Sequence, residues 1–339
     1  MSDDRKVLER IRAEIGRDPL LQFEGDTCVS LSLWDESEPF AGLIRHHDDA
    51  AKQRVLLDIA RLRGLRTLDI HQNWLRSLPA ELGGLQELRS LNVCSNYLGT
   101  LPEWIWSLNK LEFLSVGVNN LEAVSPRVSE LQNLRSLFLH KNRIRELPKE
   151  VLQLRGLKTL SLYLNAIPEF PGWVSELPDI EMFSWGISGI TRFPREIAAW
   201  KKLKYLTLVC CQFDNLEGIE ECHSLLGTRL HKNKVKQLPR DWSGMKLLRQ
   251  LTLYQNELSE LPDSMAGMDQ LQMLNIAWNG FTHLPAWLAS MRSLTWLSTH
   301  HNQWADATEF ERLPARVKVV REHPFGWQPA PMWNKLDYT

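Results

Sequence analysis

The sequence predicts an α/β solenoid, a coil of short parallel strands backed by helical turns. Three observations predict it. The frame Leu-x-x-Leu-x-Leu-x-x-Asn-x-Leu-x-x-Leu-Pro-x-x-Leu-x-x-Leu-x-x returns eleven times, opening at Leu65, Leu88, Leu111, Leu134, Leu157, Ile180, Leu203, Leu225, Leu248, Leu271 and Leu294. Every step is 23 residues, except 22 from Leu203 to Leu225. Proline recurs at the fifteenth place, as Pro79, Pro102, Pro148, Pro171, Pro194, Pro239, Pro262 and Pro285. A fixed period with this leucine spacing marks a leucine-rich repeat solenoid: a right-handed horseshoe, its parallel sheet concave and its short helical turns convex.

Taken in order, residues 1–64 are expected to form an N-terminal cap of helix, short strand and helix. Val7, Leu8, Ile11 and Ile15 make an amphipathic stripe that ends near Asp18-Pro19. TCVSLSLW at 27–34 alternates as a strand does. Residues 48–63 form a helix with Val55, Ile59 and Leu62 inward and Gly64 as its stop. Eleven repeats then fill residues 65–316. In the first, Leu65, Leu68 and Ile70 enter the core, and Leu68 and Ile70 alternate with Asp69. The ninth position is asparagine, from Asn73 to Asn302, except for Ser188 and Cys211 in repeats six and seven. An amide both donates and accepts, so stacked asparagines can satisfy the turn backbone of neighbouring coils. Proline fixes φ where a helical turn begins, and Leu82 and Leu85 face inward from that turn.

Residues 317–339 are expected to be a C-terminal cap. Val317 and Val320 fall where a twelfth strand would start, and Pro324, Phe325, Trp327 and Trp333 would fold over the last coil. Both ends need covers because terminal coils would expose core leucines.

Composition excludes several classes. A net charge of −1 gives no long-range pull toward nucleic acid or an anionic membrane. The N-terminus lacks an apolar signal region, and no apolar run reaches 18 residues. Cys28, Cys94, Cys210, Cys211 and Cys222 do not form the paired clusters that close secreted repeat proteins, and no Asn-x-Ser/Thr site occurs. The expectation is a reducing, cytoplasmic setting.

Positions 3, 5, 7 and 8 of each repeat, and often 10, point outward and are free of core duty. Position 5 is mostly small and polar, with Phe138 and Arg229 as exceptions. In the middle repeats outward residues turn apolar: Phe113, Val118, Phe138, Tyr163, Leu164, Met182, Ile187, Tyr205 and Val209. Contiguous exposed apolar and aromatic groups mark interaction sites; the alternative is that some of these rings lean over and cover neighbouring strands. Tyr254, Met273, Trp278 and Trp296 form a second cluster. Two cationic spots flank the centre: Lys141, Arg143 and Arg145, then Lys232, Lys234 and Lys236 with Arg229 nearby. At the usual strand spacing they lie about 20 Å apart. They suit a partner with an apolar centre and acidic flanks, or form an ordinary solvated rim. Repeat seven, one residue short, carries Cys211 for asparagine and Glu217 for proline. That departure bends the ladder, makes a notch, or is drift in a coil that still packs.

Chemistry finds no support. His71, His140, His231 and His300 share position 7 but stand at least three repeats apart, about 14 Å or more, too far to converge on one ion. No glycine-rich phosphate loop, Cys-x-x-Cys or His-Glu-x-x-His occurs, and no cofactor is expected.

The 23-residue frame with Leu-Pro-x-x-Leu-x-x-Leu resembles the intracellular leucine-rich repeat class, which includes Ras-binding scaffold proteins, plant intracellular Ras-group-related proteins and many bacterial members. The resemblance implies protein–protein binding through the concave face. The outward side chains place that binding around repeats three to seven, and the charge balance argues against a nucleic acid or membrane partner, so the expectation is a non-enzymatic module for a protein or peptide. The competing reading is a subunit of an effector or signalling enzyme whose chemistry lies in a partner or in the N-terminal cap.

Overall fold

The computed structural model describes residues 2–34, 42–186 and 190–321. It divides into two compact units, Met1–Ile167 and Pro168–Thr339. The architecture of each is a leucine-rich repeat coil.

The first unit opens with helix α1, Asp3–Ile15, whose buried stripe is Val7, Leu8, Ile11 and Ile15. Ser2 caps its start through its side chain, and Gly16 ends it in the left-handed region at φ 68°, where glycine carries no Cβ penalty. A hairpin follows in place of the single expected strand: β1, Leu20–Glu24, pairs antiparallel with β2, Thr27–Ser32. β1 is mostly exposed, so it lacks the alternation that revealed β2. Helix α2 spans Asp49–Ile59, with the Asp48 side chain accepting from Ala51 N. Val55, Ile59 and Leu62 are buried beside the first coil.

Five repeat strands then stack in parallel beyond β2: β3 (Thr67–Asp69), β4 (Ser90–Asn92), β5 (Phe113–Ser115), β6 (Ser136–Phe138) and β7 (Thr159–Ser161). Their registers step by one whole repeat, Leu68 to Leu91 to Leu114 to Leu137 to Leu160, and these leucines are buried. Opposite each strand the chain makes a single 3-10 turn, such as Ala80–Gly84 and Lys149–Gln153. Pro79 and Pro148 stand immediately before these turns, in extended conformation.

The second unit repeats the plan with β8 (Met182–Trp185), β9 (Tyr205–Leu208), β10 (Gly227–Arg229), β11 (Gln250–Thr252), β12 (Met273–Asn275), β13 (Trp296–Ser298) and β14 (Lys318–Val320), all parallel. The expected twelfth strand is therefore β14, whose Lys318 lies beside Trp296. The aromatic tail from Pro324 lies outside the described residues.

Asparagine holds the coils together. Asn96 Nδ2 donates to the carbonyls of Ile70 (3.1 Å), Val93 (3.0 Å) and Cys94 (3.2 Å), while its Oδ1 accepts from Leu75 N (2.9 Å). Asn119 and Asn142 repeat the pattern one and two coils on. Each amide thus satisfies backbone groups of two successive coils. The cap joins the same ladder, because Asn73 Oδ1 accepts from Ile44 N at 2.9 Å.

Position 8, just before the asparagine, is left-handed wherever described: Gln72, Ser95, Val118, Lys141, Leu164, Cys210, Lys232, Gln255, Trp278 and His301 have φ between 52° and 59°. None is glycine, so each turn carries a backbone cost, greatest for β-branched Val118.

Candidate outward-face binding site

In the first unit the strands carry a continuous row of rings on their outward side. Phe113 meets Phe138 at 5.4 Å between centroids. Phe138 meets the His140 ring edge-on at 6.3 Å. His140 lies parallel to Tyr163 at 5.0 Å and 1°. Position 7 of the preceding repeat is Gly117, and a Cβ there would come within 2.5 Å of His140 Cε1. The missing side chain leaves the space into which the imidazole leans.

In this row Phe138 departs from the expected exposure and takes the alternative, a ring that covers its neighbours. Phe138 is only 6% exposed, and its neighbours Ser115 and Ser161 are buried with it. Strands about 4.8 Å apart let each outward ring lean on the next and cover position 5. Phe113 and Tyr163 remain half-buried, and Leu164 is exposed at 40%. Lys141 and Arg143 are exposed beside the row. The left-handed backbone at Lys141 (φ 53°) and Leu164 (φ 55°) places both at the turn where the outward face ends.

In the second unit Met182 and Tyr205 are register partners on β8 and β9, both half-buried. Val209 is 7% exposed, again more covered than its position implied. Ile187 lies outside the described residues. Lys232 is exposed, with φ 58°. The second cluster resolves into pairs: His231 stacks on Tyr254 at 4.4 Å, and Trp278 stacks on His301 at 3.8 Å. Burial, with Arg229 and Lys232 adding to it, pushes the His231 imidazole down to about 3, so it is neutral at pH 7. Burial pushes the Tyr254 phenol up to about 12.

Sequence reasoning saw the position-7 histidines only as candidate ligands. It missed that His140 and His231 are each followed one repeat later by a tyrosine. That 23-residue offset was the available signal, because side chains at equal positions of adjacent coils stand face to face.

Repeats seven and eight are the weak stretch. Cys211, in place of asparagine, donates its thiol to the Val209 carbonyl at 3.6 Å. Asn233 Nδ2 donates to Leu208, Leu230 and His231 carbonyls, but its buried Oδ1 has no partner among the described residues. Thr228 stands in the core row between Leu206 and Leu251, 1% exposed, with its hydroxyl unsatisfied. The Cys210 N to His231 O bond is 3.4 Å, against 2.8 Å from Lys141 N to Tyr163 O.

All five cysteines are free. Burial raises the thiols of Cys28 to about 11 and Cys222 to about 12, and raises that of Cys94. None of these three is a ready nucleophile. Among the described residues no group of three or more His, Cys, Asp or Glu side chains could hold a metal ion. No described helix is long and apolar enough to cross a membrane.

The family description "Leucine rich repeat" matches residues 63–121, 132–184 and 229–281. No curated protein matches the sequence. Among solved structures, a leucine-rich repeat protein of Leptospira interrogans is 28% identical, over 79% of this chain and 75% of that one, with a TM-score of 0.64. A Listeria monocytogenes internalin is 17% identical over 96% of both chains, with a TM-score of 0.65. The Arabidopsis receptor kinase HAESA, solved with the peptide hormone IDA and the co-receptor SERK1, is 18% identical over 95% of this chain and 62% of its own, with a TM-score of 0.68. The fold is that of a leucine-rich repeat protein, a class that serves generally in protein–protein interaction.

Proposed function

We propose that the chain is a non-enzymatic, cytoplasmic recognition module for a protein or peptide. It engages the ligand through outward side chains of repeats three to five in the first unit and of repeats six and seven in the second. The observation that carries this reading is the row Phe113–Phe138–His140–Tyr163, with Leu164 40% exposed at its margin. Rings held by one another lose little entropy on binding, so their half-open faces contribute contact area at low cost. Lys141, Arg143 and Lys232 supply charge for orientation and on-rate more than for affinity. The likeness to HAESA, solved with a peptide hormone, supports a peptide ligand.

The test is affinity capture with mass spectrometry, run beside a Tyr163→Ala, Leu164→Asp, Tyr205→Ala variant. Phe138 is left intact because truncating so buried a ring would weaken the fold itself. Partners retained by the wild type should be lost by the variant. Unchanged capture would place the binding surface elsewhere.

A further inference from the structure

One constellation occurs twice, once in each unit. Leu139-His140-Lys141-Asn142 is followed one repeat later by Leu162-Tyr163-Leu164-Asn165, and Leu230-His231-Lys232-Asn233 by Leu253-Tyr254-Gln255-Asn256. No other pair of adjacent repeats places histidine and then tyrosine at position 7. The two copies have the same geometry. Imidazole and phenol rings stack at 5.0 Å and 1° in the first and at 4.4 Å and 15° in the second. Lys141 and Lys232 follow in the left-handed region, at φ 53° and 58°, and both are exposed.

We propose that each copy is a subsite for an acidic side chain of the protein ligand, its carboxylate held by the lysine ammonium at the margin of the histidine–tyrosine stack. This rests on the protein-recognition reading above and adds the chemistry of the partner. Charge distribution is the main support. At positions 3, 5, 7 and 8 of all eleven repeats the one acidic residue is Asp69, although Asp and Glu number 41 in the whole chain against 40 Lys and Arg. Asp69 is itself engaged, since its Oδ1 accepts from His71 Nδ1 at 2.6 Å. Elsewhere on the coil, carboxylates pair with lysine and arginine across repeats, as Lys110 with Glu87 and Lys204 with Glu181. Those positions hold three basic residues, Lys141, Arg229 and Lys232, against the one engaged acid, and such a net positive face is complementary to an acidic segment.

Nearby groups divide the two copies. The first has Phe138 and Leu164 beside it and favours an acidic residue next to an apolar one. The second has Arg229 and Gln255 at the corresponding positions and favours consecutive acidic residues.

The test uses the full chain and a fluorescein-labelled random copolymer of glutamate and tyrosine, read by anisotropy at low salt. Lys141→Glu and Lys232→Glu each should weaken binding about tenfold, and together more than either alone, with affinity falling as salt rises. Lys149→Glu, on the 3-10 turn Lys149–Gln153, should leave binding unchanged. Loss confined to one of the two lysine variants would overturn the duplication. Equal binding of a lysine–tyrosine copolymer, or tighter binding of polyuridine RNA, would overturn the acidic-peptide assignment. If both lysine variants keep partners that the Tyr163–Leu164–Tyr205 variant loses, the subsites fail and the recognition reading stands.

Discussion

The asparagine ladder of the first unit and that of repeats seven and eight are built on one frame and differ in completeness. Asn142 has three donor bonds, to Val116, Leu139 and His140, and accepts from Leu121 N. Asn233 has the same three donor bonds and, among the described residues, no group for its Oδ1. The cause lies one coil earlier, where the repeat is a residue short and Cys211 replaces the amide. A repeat coil is stabilised mainly by nearest-neighbour terms, so a defect in one coil is felt by the next and little beyond it. By Asn256 the pattern is restored, with Oδ1 accepting from Val235 N at 3.1 Å. Strict repetition therefore buys redundancy, and the outward face can vary because the amide ladder does not.

The largest expected effect is that of an alanine substitution in the intact ladder, set against one in the defective coil. Asn142→Ala strands four backbone groups and should cost about 3 kcal/mol, whereas Asn233→Ala, which also removes an unsatisfied buried oxygen, should cost about 1 kcal/mol less. Urea denaturation followed by circular dichroism measures both, and equal costs would break the comparison.

A smaller effect sharpens it through pH. The imidazole of His231 takes up a proton near its ordinary 6.5 when unfolded but only near 3 in the fold. Between those values the unfolded chain binds more protons, so this contribution is complete above about pH 6.5 and is lost as pH falls. The slope is at most about 1.4 kcal/mol per pH unit, or roughly 2 kcal/mol from pH 6.5 to 5. His231→Phe, which preserves a ring against Tyr254, should flatten the stability profile over that window, and an unaltered profile would count against a neutral, desolvated imidazole.

Two substitutions should stabilise. Thr228→Val replaces an unsatisfied core hydroxyl with a methyl group of the same shape and should add about 1 kcal/mol. Val118→Asn relieves a β-branched residue at φ 52° and should add about 0.5 kcal/mol, since asparagine tolerates the left-handed region. Thermal melts would rank them, and a loss of stability in Thr228→Val would mean the hydroxyl has a partner after all.

The repeat made most of the fold legible. Leucines at fixed offsets placed the repeat strands, because period 2 around Leu68 and Ile70 admits one strand position and one core face. β1 escaped because an exposed edge strand needs no alternation. The left-handed turns were invisible for a different reason. They are filled by Gln, Ser, Val, Lys and Leu, whose types give no hint of positive φ. The candidate site was legible as a set of positions and not as a surface. Whether Phe138 is open or covered depends on how its ring leans against Phe113 and His140, a packing outcome that spacing alone does not encode.

The most direct test of ligand recognition by the outward strand face is site-specific photocrosslinking in the full chain, with p-benzoylphenylalanine in place of Leu164 or of Lys149. The account predicts a crosslinked protein partner from position 164 and none from position 149. A partner crosslinked from 149 and absent at 164 would contradict it.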